Sequence, residues 1–117
     1  MEEKEKALVV WLILCGRTEE ALERLARFYR LDLPRLKVGL PKRQKRKAVG
    51  AYSLKEKTIF VLNSDALKNP FVILHEFYHH LRTTVDLKHR GTEKNADKFA
   101  NEFLRAYASV VKETQNK

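Results

Sequence analysis

Val72-Ile73-Leu74-His75-Glu76-Phe77-Tyr78-His79-His80-Leu81 reads as one helix with a chemical face. His75 and His79 are four residues apart, so on a helix they project from the same side, one turn from each other. Two imidazoles placed that way can bind a single zinc ion. Glu76 follows the first histidine and can reach a water in the metal's open position. A carboxylate there accepts the water's proton and later delivers it to a leaving amine. The flanks Val72, Ile73, Leu74, Phe77, Tyr78 and Leu81 are uncharged and mostly bulky, so the helix is expected inside the domain with its His face lining a cleft. The competing reading is two histidines on an ordinary amphipathic helix. His80 points away from the His75–His79 face and is expected at the surface or supporting the site.

Downstream, a catalytic zinc needs a third protein ligand from a separate element. A loop is expected over Val85 to Gly91. Thr92 can then cap a long helix with Phe99, Phe103, Leu104 and Tyr107 on its apolar side. Glu93 opens that helix and is the expected third ligand. Asp97 lies one turn on, nearly on the same face. There it could accept the outer N–H of a zinc-bound histidine and fix that ring's tautomer. Glu93 could instead simply sit well near a helix N-terminus. His89, Asp86 and Glu102 are rival ligands, none with a matching supporting acid.

Upstream, residues 2–15 read as a largely buried helix stopped at Gly16. Thr18 is a plausible N-cap for a second helix, with Glu19 and Glu20 in its first turn and Leu22, Leu25, Phe28 and Tyr29 as its apolar stripe. Pro34 is expected to end it. Arg35 to Leu40 alternates as a short strand. Ala48 to Leu54 and Thr58 to Leu62 flank Lys55-Glu56-Lys57 as a β-hairpin. Gly50 in the first arm suggests an edge strand or a close approach by another backbone. Asn63 to Asn69 reads as a polar connection, and Pro70 suits the first turn of the His-bearing helix. The fold class is therefore α+β, one small domain. Residues 1–110 form its body, and 111–117 form a polar tail expected to fray.

The whole chain has 117 residues, 44% of them apolar, which excludes general disorder and leaves no room for a second domain. One cysteine excludes a disulfide scaffold and a Cys-rich zinc finger. The net charge of +9 fits an acidic partner such as nucleic acid, or the dense surface ion pairing of a heat-adapted protein. Much of the surplus sits in Lys42, Arg43, Lys45, Arg46 and Lys47, read as a solvated loop in preference to a nucleic-acid patch. Ala7 to Cys15 mimics a signal peptide, but its leader holds three Glu and no cleavage site follows. Nine apolar residues do not span a bilayer, which takes about 20. A cytoplasmic location without membrane contact is expected, with Cys15 an inert core residue.

His75-Glu76-Phe77-Tyr78-His79 is an HExxH sequence, and with Glu93-x-x-x-Asp97 it resembles the gluzincin zinc metallopeptidases, most of all the small minigluzincins. The resemblance is specific over about residues 48–105. It implies a zincin-like domain: a short twisted sheet with N-terminal helices, an active-site helix and a glutamate helix behind it. It implies His75, His79 and Glu93 on Zn2+, Glu76 as general base and acid, Asp97 as the supporting acid, and a peptide or protein substrate. It also suggests latency, with the tail from Lys112 to Lys117 shielding the metal of its own or a neighbouring chain. Larger gluzincins place a Tyr or His that stabilises the tetrahedral intermediate in a subdomain this chain lacks. Tyr78, His80, His89, Arg90 and Tyr107 are unranked candidates for that role. An extended substrate is expected along the edge Val49 to Ser53. The alternatives are a DNA-associated SprT-like zinc protease, a basic nucleic-acid-binding module, or a zinc-stabilised module without catalysis.

Overall fold

Helical periodicity at both ends and β-branched runs in the middle resolve, among the described residues, into an α+β arrangement of five helices and a three-stranded mixed sheet. The computed structural model describes residues 1–42, 48–85 and 91–115. The elements are α1 (Glu3–Leu14), α2 (Thr18–Tyr29), β1 (Arg35–Val38), β2 (Gly50–Ser53), β3 (Thr58–Val61), α3 (Ser64–Leu67), α4 (Pro70–Val85) and α5 (Glu93–Gln115). The basic run at 43–47, the connecting residues 86–90 and the last two residues, 116 and 117, lie outside the described residues. No helix among the described residues is long and apolar enough to cross a membrane.

The sheet order is β1-β3-β2, with β1 parallel and β2 antiparallel to the central β3. All four residues of β3 are buried, which is why Thr58-Ile59-Phe60-Val61 does not alternate. The hairpin matches the expectation, its turn closed through Lys57 at φ +49°. β2 is an edge strand, and α4 packs on the sheet beside it.

α1 is apolar on nearly every side and buries Ala7, Val9, Val10, Leu12 and Ile13. Gly16 ends it in the left-handed region at φ +82°. Its N–H donates to the Ile13 carbonyl at 3.0 Å, and the Arg17 N–H to that of Leu12 at 2.8 Å. Cys15 does not join the core. It continues the outward side marked by Trp11 and Leu14, and all three are exposed.

Two helix boundaries differ from expectation. Thr18 is not the cap of α2. Its hydroxyl donates to the Leu67 carbonyl at 2.7 Å and ties α2 to α3. Pro34 does not end α2 either. Arg30 does so in a left-handed conformation at φ +58°, with the Leu31 N–H donating to the Ala26 carbonyl at 2.8 Å. The polar stretch from Asn63 contains α3, because the Asn63 carboxamide oxygen accepts the Ala66 N–H at 2.9 Å and nucleates a turn. Asn69 caps α4 by accepting the Phe71 N–H at 3.0 Å, and Pro70 is the first helical residue.

Thr92 caps α5 as expected, accepting the Asn95 N–H at 3.0 Å. Val111 to Gln115 stay helical instead of fraying. At about 1.5 Å per residue, Gln115 lies about 33 Å along α5 from Glu93. In this conformation the segment up to Gln115 therefore does not lie over the two histidines of its own chain.

Phe77 of α4 and Phe103 of α5 are fully buried among Val10, Ile13, Leu25, Ile59 and Ile73. Burying such side chains contributes about 1.5–3 kcal/mol each. His80 belongs to this interior and is 1% exposed, so it is neither a surface group nor a free supporter of the site. Its Nε2 lies 2.8 Å from the Asp32 carbonyl, which only accepts, so Nε2 carries the proton. Nδ1, 2.8 Å from the Tyr52 hydroxyl, is then the acceptor. Burial lowers the His80 pKa, as does Lys57, against opposing contributions from the Asp32 carbonyl and carboxylate. A buried imidazole without partners would cost several kcal/mol; here both nitrogens are used, and α4 is pinned to β2 and to the segment after α2. Tyr52→Phe leaves Nδ1 without that donor. It is expected to lower the unfolding free energy by about 1–3 kcal/mol in urea titration. A loss below about 0.3 kcal/mol would show that the link is not made.

Candidate metal centre

The site is assembled by two consecutive helices. The four-residue spacing places the His75 and His79 rings one above the other on α4, with centroids 5.2 Å apart. α5 brings up Glu93 as its first residue. One Glu93 oxygen lies 2.8 Å from His75 Nε2 and the other 2.9 Å from His79 Nε2. The three donor groups offer atoms all within 4.8 Å of one another. Asp97, a turn further along α5, lies 2.9 Å from His75 Nδ1.

These distances constrain the protons. The Asp97 carboxylate accepts, so Nδ1 of His75 is its donor, and in the neutral ring Nε2 presents a lone pair toward Glu93. A lone pair and a carboxylate oxygen at 2.8 Å repel unless positive charge lies between them. That charge is either a second proton on His75 or a cation shared with His79 and Glu93. The donor set fits the second case. Two imidazole nitrogens and one carboxylate oxygen are a zinc ligand set, and bonds of about 2.0–2.1 Å put tetrahedral neighbours roughly 3.3 Å apart. The two contacts, 2.8 and 2.9 Å, run to different Glu93 oxygens, so holding one ion requires the donor atoms to shift from these hydrogen-bonding positions.

Partial burial alone would raise the Glu93 carboxyl. In the protonated case, the hydrogen bond from His75 and the charges of both histidines outweigh it, and the group lies below the ordinary carboxylate range. Glu93 is largely exposed, whereas His79 is buried and His75 nearly so. The centre is thus rooted in the core on its α4 side and open to solvent on its α5 side.

Glu76 is 8% exposed and turns toward the sheet. A Cβ built on Gly50 would lie 3.3 Å from both Cγ and Oε2 of Glu76, and 2.7 Å from Val72 Cγ1. The close neighbours that glycine admits at this position are therefore the side chains of α4.

Among the rival ligands, Asp86 and His89 lie outside the described residues, as does Arg90. Glu102 is engaged elsewhere, 3.8 Å from Lys6. Of the candidates for transition-state stabilisation, His80 is committed to Tyr52 and Asp32. Tyr107 sits about 21 Å along α5 from Glu93, beside Trp11 in a groove between α1 and α5. Tyr78 is next to His79 in sequence, with ring centroids 5.9 Å apart. It packs against Phe99 and against the backbone of Gly91.

Gly91 was legible only as part of a loop. It holds φ +76°, and a Cβ there would overlap Tyr78 Cε2 and meet Arg82 Cγ at 3.0 Å. The chain passes flat against α4 and turns into α5 two residues before Glu93. A left-handed backbone and a close approach together demand glycine.

No protein-family model, curated protein or solved structure matches the chain.

Gly91→Ala combines left-handed strain of about 1–2 kcal/mol with overpacking of about 1–3 kcal/mol. Urea denaturation is expected to show a loss of about 2–4 kcal/mol. A loss below about 0.5 kcal/mol would mean that Tyr78 and Gly91 do not pack in solution.

Proposed function

We propose that the protein is a zinc-dependent metalloendopeptidase of the gluzincin type, with a minimal zincin-like domain. The observation that carries this reading is the pair of imidazole Nε2 atoms on α4 closed by the two oxygens of Glu93, with Asp97 on the outer nitrogen of His75. The HExxH spacing supplies the histidines, and Glu76 adjoins the first of them.

In this reading His75, His79 and Glu93 hold the ion. A zinc ion so held supplies Lewis-acid polarisation of a scissile carbonyl and lowers the pKa of water. Asp97 keeps His75 in the tautomer whose Nε2 faces the ion. Glu76 takes the proton from the attacking water and returns it to the departing nitrogen, so the carboxylate is unchanged after each turnover. Its carboxylate is nearly buried beside β2. β2 is an outer strand of the sheet among the described residues, and an extended peptide would add there as a strand beside Glu76. Residues 111–115 continue α5 well away from Glu93, so latency by these residues would act on a neighbouring chain.

Purified protein is expected to bind one equivalent of zinc and to cleave an unstructured protein such as casein, with loss of cleavage under chelation. Glu76→Gln should keep its zinc and lose at least about a hundredfold in kcat. Glu93→Ala should lose zinc during dialysis, and Asp97→Ala should weaken zinc binding about 10–100-fold. Full cleavage by Glu76→Gln, or undiminished zinc in Glu93→Ala, contradicts the assignment.

A further inference from the structure

We propose that the outer edge of β1, with the acidic side of α2 beside it, is a docking site for an extended cationic segment of another protein, which adds to the sheet as a fourth strand. This edge lies across β3 from β2, so the docking is independent of the peptidase reading. β1 pairs in parallel with β3 on one side and with none of the described residues on the other. The Arg35 N–H donates to the Lys57 carbonyl at 2.9 Å, and the Gly39 N–H to that of Val61 at 2.7 Å. Backbone groups of successive strand residues point to opposite sides. Leu36 and Val38 therefore turn their N–H and C=O groups outward, where an added strand would bond to them. Val38 is 57% exposed, so the edge is within reach of a partner.

The groove between this edge and α2 selects the occupant. Leu36, Val38 and Leu67 form its apolar side, and Glu19, Glu20 and Glu23 its charged side. Arg17 also borders it, but is paired with Glu20. Glu19 and Glu23 are exposed and have no ion-pair partner among the described residues. In a chain of net charge +9, this side of α2 is locally negative. Gly16 and Arg17 line the groove with Val38, whereas Leu22 lines its continuation with Leu33 and Pro34. α2 and β1 therefore run side by side in opposite directions. Glu19 and Glu23 stand one turn apart, about 6 Å along the helix. Alternate residues of an added strand stand about 6.6–6.8 Å apart, nearly the same spacing. Lysine or arginine at two alternate positions, on the face shared with Leu36 and Val38, lays its apolar stem along those side chains and its charge beside the two carboxylates. Arg35 and Lys37, which border the continuation of the groove, alternate onto the other face of β1. A neutral or acidic residue must therefore stand between the partner's cationic ones. The same two cations disfavour a second copy of β1 as the occupant, because antiparallel pairing of two such strands sets like charges against each other.

Binding is tested with the full chain and a short end-blocked peptide alternating lysine and threonine. In the free protein, hydrogen exchange followed by NMR should find the Leu36 and Val38 amides open and those of Arg35 and Gly39 protected. Saturating peptide should slow exchange at Leu36 and Val38 by about tenfold or more. Glu19→Gln/Glu23→Gln should leave the thermal midpoint unchanged and weaken the peptide about threefold or more, as should added salt. Methylating the peptide's backbone nitrogens leaves its charge intact but prevents strand pairing, and should weaken it at least about tenfold. A peptide alternating glutamate and threonine should bind at least about tenfold more weakly than the lysine peptide. Equal binding of the lysine and glutamate peptides, or binding indifferent to Glu19→Gln/Glu23→Gln, overturns the proposal. So does unchanged exchange at Leu36 and Val38 at the highest peptide concentration. Protection of these two amides before any peptide is added overturns it as well: protection that grows with protein concentration assigns the edge to a second copy, and protection that does not assigns it to a segment of the same chain.

Discussion

The structure depends on one carboxylate from α5 reaching two imidazoles of α4. His75 and His79 can face a common point because of helical spacing, but two nitrogens on one helix leave a cation half-held. Glu93 closes the arrangement, at 2.8 and 2.9 Å from the two Nε2 atoms. Asp97 makes it directional by fixing the proton on His75. Everything around the site serves that reach. Thr92 caps α5 so that Glu93 is its first residue. Gly91 lets the chain press against Tyr78 immediately before that cap. Phe77, Tyr78, Phe99 and Phe103 form an aromatic seam that keeps the two helices in register.

The sheet performs the opposite task of holding α4 from behind. β3 is buried along its length, β2 is an edge, and the Tyr52–His80–Asp32 chain of hydrogen bonds joins edge strand, helix and the end of the α2 connection. The buried face of α4 therefore carries two kinds of polar group with different fates. His80 has partners on both nitrogens, and Glu76 lies close to Gly50 of the edge strand. One turn apart, a structural histidine and a residue of the candidate site are both buried, and burial alone does not distinguish them.

Much of this was legible in the chain because periodicity and punctuation are local. The helix stop at Gly16, the start at Pro70, the cap at Thr92, the hairpin about Lys55 to Lys57, and the four-residue His spacing each need only neighbouring residues to be read. The face shared by Glu93 and Asp97 followed from the same helical arithmetic. What could not be read depends on distant contacts. Thr18 looks like a cap until Leu67 accepts its hydroxyl, 49 residues away. His80 looks exposed by its offset from His75 and His79, yet the sheet covers that side of the helix as well. Pro34 seemed a natural stop, but Arg30 had already turned left-handed. The polarity of residues 111–115 suggested fraying, while the apolar positions preceding them carry α5 through to Gln115.

The account stands on a cation bridging α4 and α5. The most direct measurement is an anomalous difference map at the zinc absorption edge, from crystals grown with one equivalent of zinc. It should show a single strong peak within bonding distance, about 2.0–2.2 Å, of His75 Nε2, His79 Nε2 and a Glu93 oxygen. A peak bound by other residues, or histidines still in direct contact with Glu93 at full zinc loading, would contradict it.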